Sequence, residues 1–289
     1  MKSYLKLIRV EQYIKNLFVF APLFFDSQFQ NLDNLITVTF AFICFCMASS
    51  CIYILNDYFD IEEDKNHPQK KHRPLAAGSI SVRNGLLLMS ILMIITITVS
   101  YLISSNLFLV ILSYLLLNFL YSKWLKHIAI LDVNIIAVGF ILRIVAGSVV
   151  SAIIPSIWIL LITYLLALFL GISKRRTDVI LAQNGNDVRK NIEGYNLIFV
   201  DTILGILASI IIVCYIFYCI SHEVQLHYHS NLLYVSIIFV VNGIFRYLKL
   251  VFVDQSTYSP TKIVLKDRFI QITILGWLLL MSYLLYFRN

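Results

Sequence analysis

Nine stretches of this chain are apolar for long enough to cross the hydrocarbon core of a bilayer, which takes about 20 residues as a helix. They cover roughly 14–31, 34–56, 83–104, 106–122, 130–153, 156–173, 196–220, 230–253 and 268–287. The first is the weakest, interrupted by Asp26 and Gln28. Backbone groups in lipid need internal partners, and the runs lack the strict alternation of barrel strands. The expected fold is therefore an all-α integral membrane protein, with nine transmembrane helices. Composition agrees: 60% of residues are hydrophobic and 13% charged, where a soluble domain is nearer half apolar and a quarter charged. No repeat or composition shift marks a second domain, so one domain over residues 1–289 is expected. The five cysteines lie in apolar runs without Cys-x-x-Cys spacing, which argues against a disulfide framework or a zinc site. The start, MKSYLKLIRVEQYIKN, carries charges throughout and no small-residue cleavage site, so it does not read as a signal peptide.

Lys and Arg fix the expected topology. With the N-terminus in the cytoplasm, 21 of the 23 Lys and Arg fall on the cytoplasmic side, counting Arg189 and Lys190. Only Arg143, inside a helix, and Arg288, outside, depart from this pattern. The positive-inside rule then places the chain as a multi-pass protein of the inner (cytoplasmic) membrane, with its N-terminus cytoplasmic. The net charge of +7 follows from this topology and from attraction to anionic membrane lipids. It predicts no nucleic-acid partner, because no basic face lies away from the membrane boundary.

Charge of both signs gathers at the end of the second run, in LNDYFDIEEDKNHPQKKHRPLAAG, Leu55 to Gly78. Asn56, Asp57, Asp60 and Asp64 recur in steps of three or four and would share one face of a helix end. Carboxylates stacked there repel one another unless a cation sits between them. Oxygen ligands of this kind suit Mg²⁺, which binds through one or two carboxylates and keeps waters and substrate phosphates. Beyond them, Lys65, His67, Lys70, Lys71 and Arg73 are candidates for phosphate oxygens, on a loop shaped by Pro68, Pro74 and Gly78. The competing reading is a solvated juxtamembrane charge cluster, which does not account for the Asp spacing.

Three further polar sets follow. In YSKWLKHIAILDVNIIAVGFILRIVAG, Tyr121, Lys126 and Asp132 bracket a short turn, and Arg143 lies three turns into the next helix. An arginine at membrane depth is costly and faces a cavity or a partner; the alternative is structural pairing with Asp132 or another carboxylate. After the sixth run come Lys174, Arg175, Arg176 and Asp178, which either bind phosphate or anchor the helix at the membrane surface. The last loop supplies Lys262, Asp267 and Arg268. All four sets are expected on one face of the bundle.

These residues carry a resemblance. N-D-x-x-D-x-x-x-D followed by H-P-x-K-x-x-R-P-L-A-x-G resembles the Asp-rich signature of the UbiA superfamily of intramembrane prenyltransferases. LIRVEQYIKNLFVFAPLFF, the stretch from Tyr121 to Gly147, GISKRRTDV and SPTKIVLKDR resemble elements of its decaprenyl-phosphate phosphoribosyltransferase branch. Five ordered motifs span nearly the whole chain. Tyr13 stands where the branch has Trp, Ser173 where it has Gly, and Asp178 where it has Glu. Ordinary prenyltransferases also carry a second D-x-x-x-D motif, whereas here Asp132 is followed by Ile136.

The resemblance implies nine helices around a cytoplasm-facing cavity. It implies transfer of 5-phosphoribosyl from phosphoribosyl diphosphate to a polyprenyl phosphate, with Mg²⁺ as cofactor. On that basis Asn56, Asp57, Asp60 and Asp64 are expected at the metal, with Asp57, Asp60, Asp64 and Asp132 catalytic. Lys15, Asn16, Asn56, Lys65, Arg73, Tyr121, Lys126, Arg143, Lys174, Arg175 and Arg268 are expected at the substrates. The alternatives are an aromatic prenyltransferase using a polyprenyl diphosphate donor, a transporter for a phosphorylated solute and a non-catalytic lipid-binding scaffold. A homo-oligomer is compatible with the sequence.

Overall fold

A computed structural model describes residues 2–66, 70–183, 192, 194–256 and 258–287. His67 and Pro68, enlisted above for the loop over the site, lie outside the described residues, as do Arg189, Lys190 and Arg288. Among the described residues there is no strand, and eight helices are long and apolar enough to cross a membrane. They are α1 (Leu32–Phe59), α2 (Val82–Ile103), α3 (Ser105–Lys123), α4 (Leu131–Ser151), α5 (Ile157–Gln183), α6 (Leu197–Ile220), α7 (Ile237–Phe252, which with the 3₁₀ turn before it spans Leu233–Phe252) and α8 (Arg268–Tyr286). Several of their starts carry capping side chains, because the first backbone N–H groups of a helix have no internal acceptor. Asn31 accepts from Asn34 N–H at 3.2 Å, Ser81 from Asn84 N–H at 3.3 Å, and Asn196 from Phe199 N–H at 2.8 Å.

The weak first run does not form one continuous helix. Val10–Phe20 is a 3₁₀ helix and Ala21–Phe25 a five-residue α-helix, followed by Ser27 at φ 55°. Pro22 explains the break: it has no N–H to continue the preceding turn and fits only at the start of a new one. An 11-residue 3₁₀ segment is unusually long. It persists because Asn16 and Val19 are buried against neighbouring helices.

The chain divides into two compact units, residues 1–155 and 156–289. In the first, α1 is central: Val38, Ala41, Cys44, Phe45, Ala48 and Cys51 pack with Leu107, Ile111 and Tyr114 of α3. Val19 and Leu23 of the short N-terminal helices join this core. A second, smaller core of Leu7, Ile54, Leu75 and Ile80 joins the N-terminal helix (Lys2–Leu7), the end of α1 and the loop beyond it.

In the second unit, polar side chains tie the helices together. Tyr247 of α7 donates to Ser173 Oγ of α5 at 2.7 Å, and Arg176 of α5 pairs with Asp201 of α6 at 2.7 Å. Arg246 of α7 pairs at 2.7 Å with Asp267, which also caps α8 by accepting from Ile270 N–H at 2.9 Å. The Arg246 guanidinium, helped by that N–H, holds the Asp267 carboxyl below its usual range. A depressed carboxylate stabilises the fold above its unfolded pKa, about 3.9, and the gain disappears as pH falls through the folded value. Asp267→Ala is therefore expected to cost roughly 1 kcal/mol in detergent melts at neutral pH, as for a lost cap. The difference from wild type should shrink to nothing at strongly acidic pH; a pH-independent difference would remove the charge from the explanation.

Candidate functional site

The Asp-rich end of α1 is a lattice of carboxylates and cations. The helix ends at Phe59, Asp60 turns at φ −96° and ψ 7°, and a short helix resumes over Ile61–Asn66. Backbone bonds from Asp60 N–H to Asn56 O (3.0 Å) and from Asp64 N–H to Asp60 O (2.8 Å) carry the four-residue step across the break. Asp57 and Asp64 are each 1% exposed. Asp57 Oδ1 takes the Arg9 guanidinium and, at 3.3 Å, Arg73. Arg73 also reaches Asp64 Oδ2 at 2.7 Å, and Lys126 Nζ reaches Asp60 Oδ1 at 2.6 Å. Burial pushes the Asp64 carboxyl up, against the downward pull of Arg73. Lys65 turns aside to Glu62 at 2.7 Å on an exposed surface, and Asn56 is partly buried.

The cations between the carboxylates are thus side chains of the chain itself. Among the described residues no three His, Cys, Asp or Glu side chains gather closely enough to hold a metal as they stand. The donor chemistry nevertheless fits a hard cation. Asp57 Oδ2 is buried without a hydrogen-bond partner, and Asp60 and Asp64 each have one oxygen in an ion pair. A cation that takes one or two carboxylates and fills its shell with water or phosphate oxygen suits such a set.

Deeper in the same unit, Arg143 is 5% exposed, and among the described residues no carboxylate pairs with it. Its Nε donates to Asn16 Oδ1 (2.8 Å), Nη1 to Gly139 O (2.7 Å) and Nη2 to the Tyr114 hydroxyl (3.2 Å). Its guanidinium also lies 5.1–5.5 Å from the ring centres of Phe45, Tyr114 and Phe140. Asn16 in turn donates to Ser49 Oγ at 3.2 Å and Cys46 Sγ at 3.3 Å. The pairing with Asp132 considered from sequence is not made; Asp132 is fully buried at the start of α4. Lys15, on the 3₁₀ segment outside the eight spanning helices, is partly buried. Burial first, then the nearby charges of Arg143 and Arg9, push its ammonium down to about 8. Glu11 pulls the other way, but the net positive charge of Lys15, Arg143 and Arg9 favours an incoming anion.

Arg143→Ala removes three charged hydrogen bonds and releases Asn16. We expect anionic substrate to bind roughly ten- to hundred-fold more weakly, the cost of one lost charged hydrogen bond. Titration of donor affinity checks this, and wild-type affinity would confine Arg143 to helix packing.

In the second unit, α5 runs on to Gln183, so Lys174, Arg175, Arg176 and Asp178 sit on the helix and not after it. Arg175, 1% exposed, bonds Asp178 Oδ2 at 2.6 Å, one turn along. Lys174 is exposed, and Tyr121 of the first unit is partly buried near the end of α3. Arg268 is exposed at the first position of α8, and it is Arg246, unassigned by sequence, that engages Asp267. Arg9 likewise carries no site role in the sequence reading beyond its place in a motif and its topogenic charge. Its signal is its place at the head of R-x-x-Q-Y-x-K-N, with Glu11 as the only acidic residue within 16 positions of it in sequence.

The family model for the UbiA prenyltransferase family matches residues 17–273. The decaprenyl-phosphate phosphoribosyltransferase of Mycolicibacterium smegmatis is 33% identical, over 98% of this chain and 92% of that one. The protein of the same description from Mycobacterium tuberculosis is 30% identical, over 94% of this chain and 91% of its own length. A UbiA homolog from Archaeoglobus fulgidus, solved with DMAPP and Mg²⁺, superposes with a TM-score of 0.71 at 18% identity, covering 98% of this chain and 99% of that one.

Proposed function

Because the chain belongs to the UbiA prenyltransferase family, we propose that it transfers 5-phosphoribosyl from phosphoribosyl diphosphate to a polyprenyl phosphate. The products are polyprenyl-phosphoryl-5-phosphoribose and diphosphate. The observation that carries this reading is near-full-length similarity to decaprenyl-phosphate phosphoribosyltransferases. The positive charge of Lys15 and Arg143, which no carboxylate among the described residues ion-pairs, supports it, because this reaction brings a diphosphate, a 5-phosphate and an acceptor phosphate together. Ile136 in place of a second carboxylate supports it for the same reason.

In the reaction, the bond from the anomeric carbon to diphosphate oxygen breaks, and an acceptor phosphate oxygen forms the new bond to that carbon. The acceptor is already anionic, so no strong general base is needed. Mg²⁺, held by Asp57, Asp60 and Asp64 with Asn56, would supply neutralisation of the departing diphosphate. Arg9, Arg73 and Lys126 add positive charge beside it, where preformed cations cost no reorganisation as charge develops. Asp132, buried at the start of α4 beside the turn that carries Lys126, remains assigned to catalysis by the resemblance. Lys65, Tyr121, Lys174, Arg175 and Arg268 remain assigned to substrate phosphates by the resemblance. The apolar helix faces would hold the isoprenoid tail. The Lys and Arg distribution supports a cytoplasmic N-terminus in the inner membrane, on the side where a soluble phosphorylated sugar is available.

Purified protein given labelled phosphoribosyl diphosphate and polyprenyl phosphates should yield labelled lipid in the presence of Mg²⁺ and none with chelator. In sealed membranes the label should enter lipid only when supplied on the cytoplasmic side. Product from a polyprenyl diphosphate and an aromatic acid, with none from phosphoribosyl diphosphate, would overturn the reading.

A further inference from the structure

Resting on that functional reading, we propose that Arg9, Arg73 and Lys126 are exchangeable counter-cations. They keep bare divalent metal off Asp57, Asp60 and Asp64, and change partner from carboxylate to phosphate when metal and diphosphate arrive together. Three carboxylates meet three cations at this helix end, so it is close to neutral without any ligand. The balance is uneven in one place: both Arg9 and Arg73 crowd Oδ1 of Asp57, while Oδ2 of the same buried carboxylate has no hydrogen-bond partner. A metal arriving alone would stand among three cations with no anion to receive them, which is repulsive. A metal arriving on diphosphate brings the acceptors to which the guanidinium and ammonium groups turn.

The mounts allow such an exchange. Side chains of Arg9 and Arg73 are 21% and 22% exposed, whereas the carboxylate they share is 1% exposed. The cations can therefore swing while Asp57 stays fixed. Their backbones are held by the small core of Leu7, Ile54, Leu75 and Ile80, so the motion is one of side chains. Arg9 itself sits at φ 53° between the N-terminal helix and the 3₁₀ segment. A non-glycine residue there is strained and persists only where surroundings impose it. That is what places its guanidinium over Tyr53, 4.9 Å from the ring centre, and on Asp57.

The exchange has a signature that plain structural ion pairs lack: removing a cation should move two affinities in opposite directions. The probe is Mn²⁺, followed by paramagnetic resonance on the full chain in detergent, with and without inorganic diphosphate. Wild type should bind Mn²⁺ at least ten-fold more tightly when diphosphate is present. Arg9→Gln, and Lys126→Gln at a separate carboxylate, should tighten bare Mn²⁺ by about ten-fold and weaken Mn²⁺ with diphosphate by about ten-fold, the scale of one charged hydrogen bond. Unchanged or weaker bare Mn²⁺ binding in both variants overturns the proposal. So does wild-type binding that ignores diphosphate. Exchange that works with diphosphate but not with phosphoribosyl diphosphate would keep the proposal and remove the functional reading.

Discussion

Asp57→Asn is expected to abolish transfer, by roughly a thousand-fold or more, while the protein still folds in detergent. The size follows from what the side chain holds. One oxygen is shared by Arg9 and Arg73, and the other is buried with no hydrogen-bond partner. An amide of the same shape supplies no charge to either guanidinium, and if its nitrogen takes the Oδ2 place it offers a metal no lone pair there. Losing one preorganised electrostatic contact at a reacting centre costs about 10²–10³ in rate, and here metal and cation positions are lost together. Stability should suffer less. Breaking a buried pair is severe, about 3–5 kcal/mol, when it strands a buried charge. Arg9 and Arg73 are each about one-fifth exposed and can turn to water, and Arg73 keeps Asp64 at 2.7 Å. The check is turnover and melting temperature on the same preparation. Near-normal turnover would sink the assignment of Asp57 to metal and diphosphate; loss of folding together with turnover would make the carboxylate structural.

How far the sequence reaches is set by which interactions are local. Seven of the long runs coincide with helices to within a few residues, because hydrophobic length alone decides a spanning helix. The run ending at 173 extends to Gln183, since Lys, Arg and Thr continue a helix as readily as they leave the membrane. The first run failed as a continuous helix for a reason visible in Pro22 but outweighed by hydropathy. The Asp spacing at Asn56, Asp57, Asp60 and Asp64 was legible because helical period is local. What neutralises those carboxylates was not, because Arg9 is 48 residues away from Asp57 and Lys126 is 66 away from Asp60. The cage around Arg143 was hidden for the same reason, its partner Asn16 lying 127 residues back. A charge inside an apolar run announces that it has partners; only the fold names them.

Gly147 is where the fold and the candidate site depend on a single missing atom. It lies in α4, one turn after Arg143, and faces the N-terminal segment. A Cβ there would stand 1.8 Å from the backbone oxygen of Val19, 2.9 Å from its carbonyl carbon and 3.3 Å from Pro22 Cδ. The obstruction is main chain, so no rotamer relieves it; the 3₁₀ segment itself must move away from α4. Overpacking a core typically costs about 1–3 kcal/mol, and a clash this deep with backbone should exceed that range. Gly147→Ala is therefore expected to cut the yield of folded protein sharply and lower its melting temperature by many degrees. Gly205 in α6 supplies the comparison: a Cβ there meets nothing within 4 Å. Alanine at that position should be neutral or stabilising by roughly 0.5–1 kcal/mol, as expected for a helix interior. Any folded Gly147→Ala protein should also bind phosphoribosyl diphosphate poorly. Val19 shares its short helix with Lys15 and with Asn16, and Asn16 is held by Arg143 at 2.8 Å; displacing the segment pulls these apart. If Gly147→Ala folds and binds like wild type, the Val10–Phe20 segment is not seated against α4 as described, and the approach of Lys15 to Arg143 goes with it.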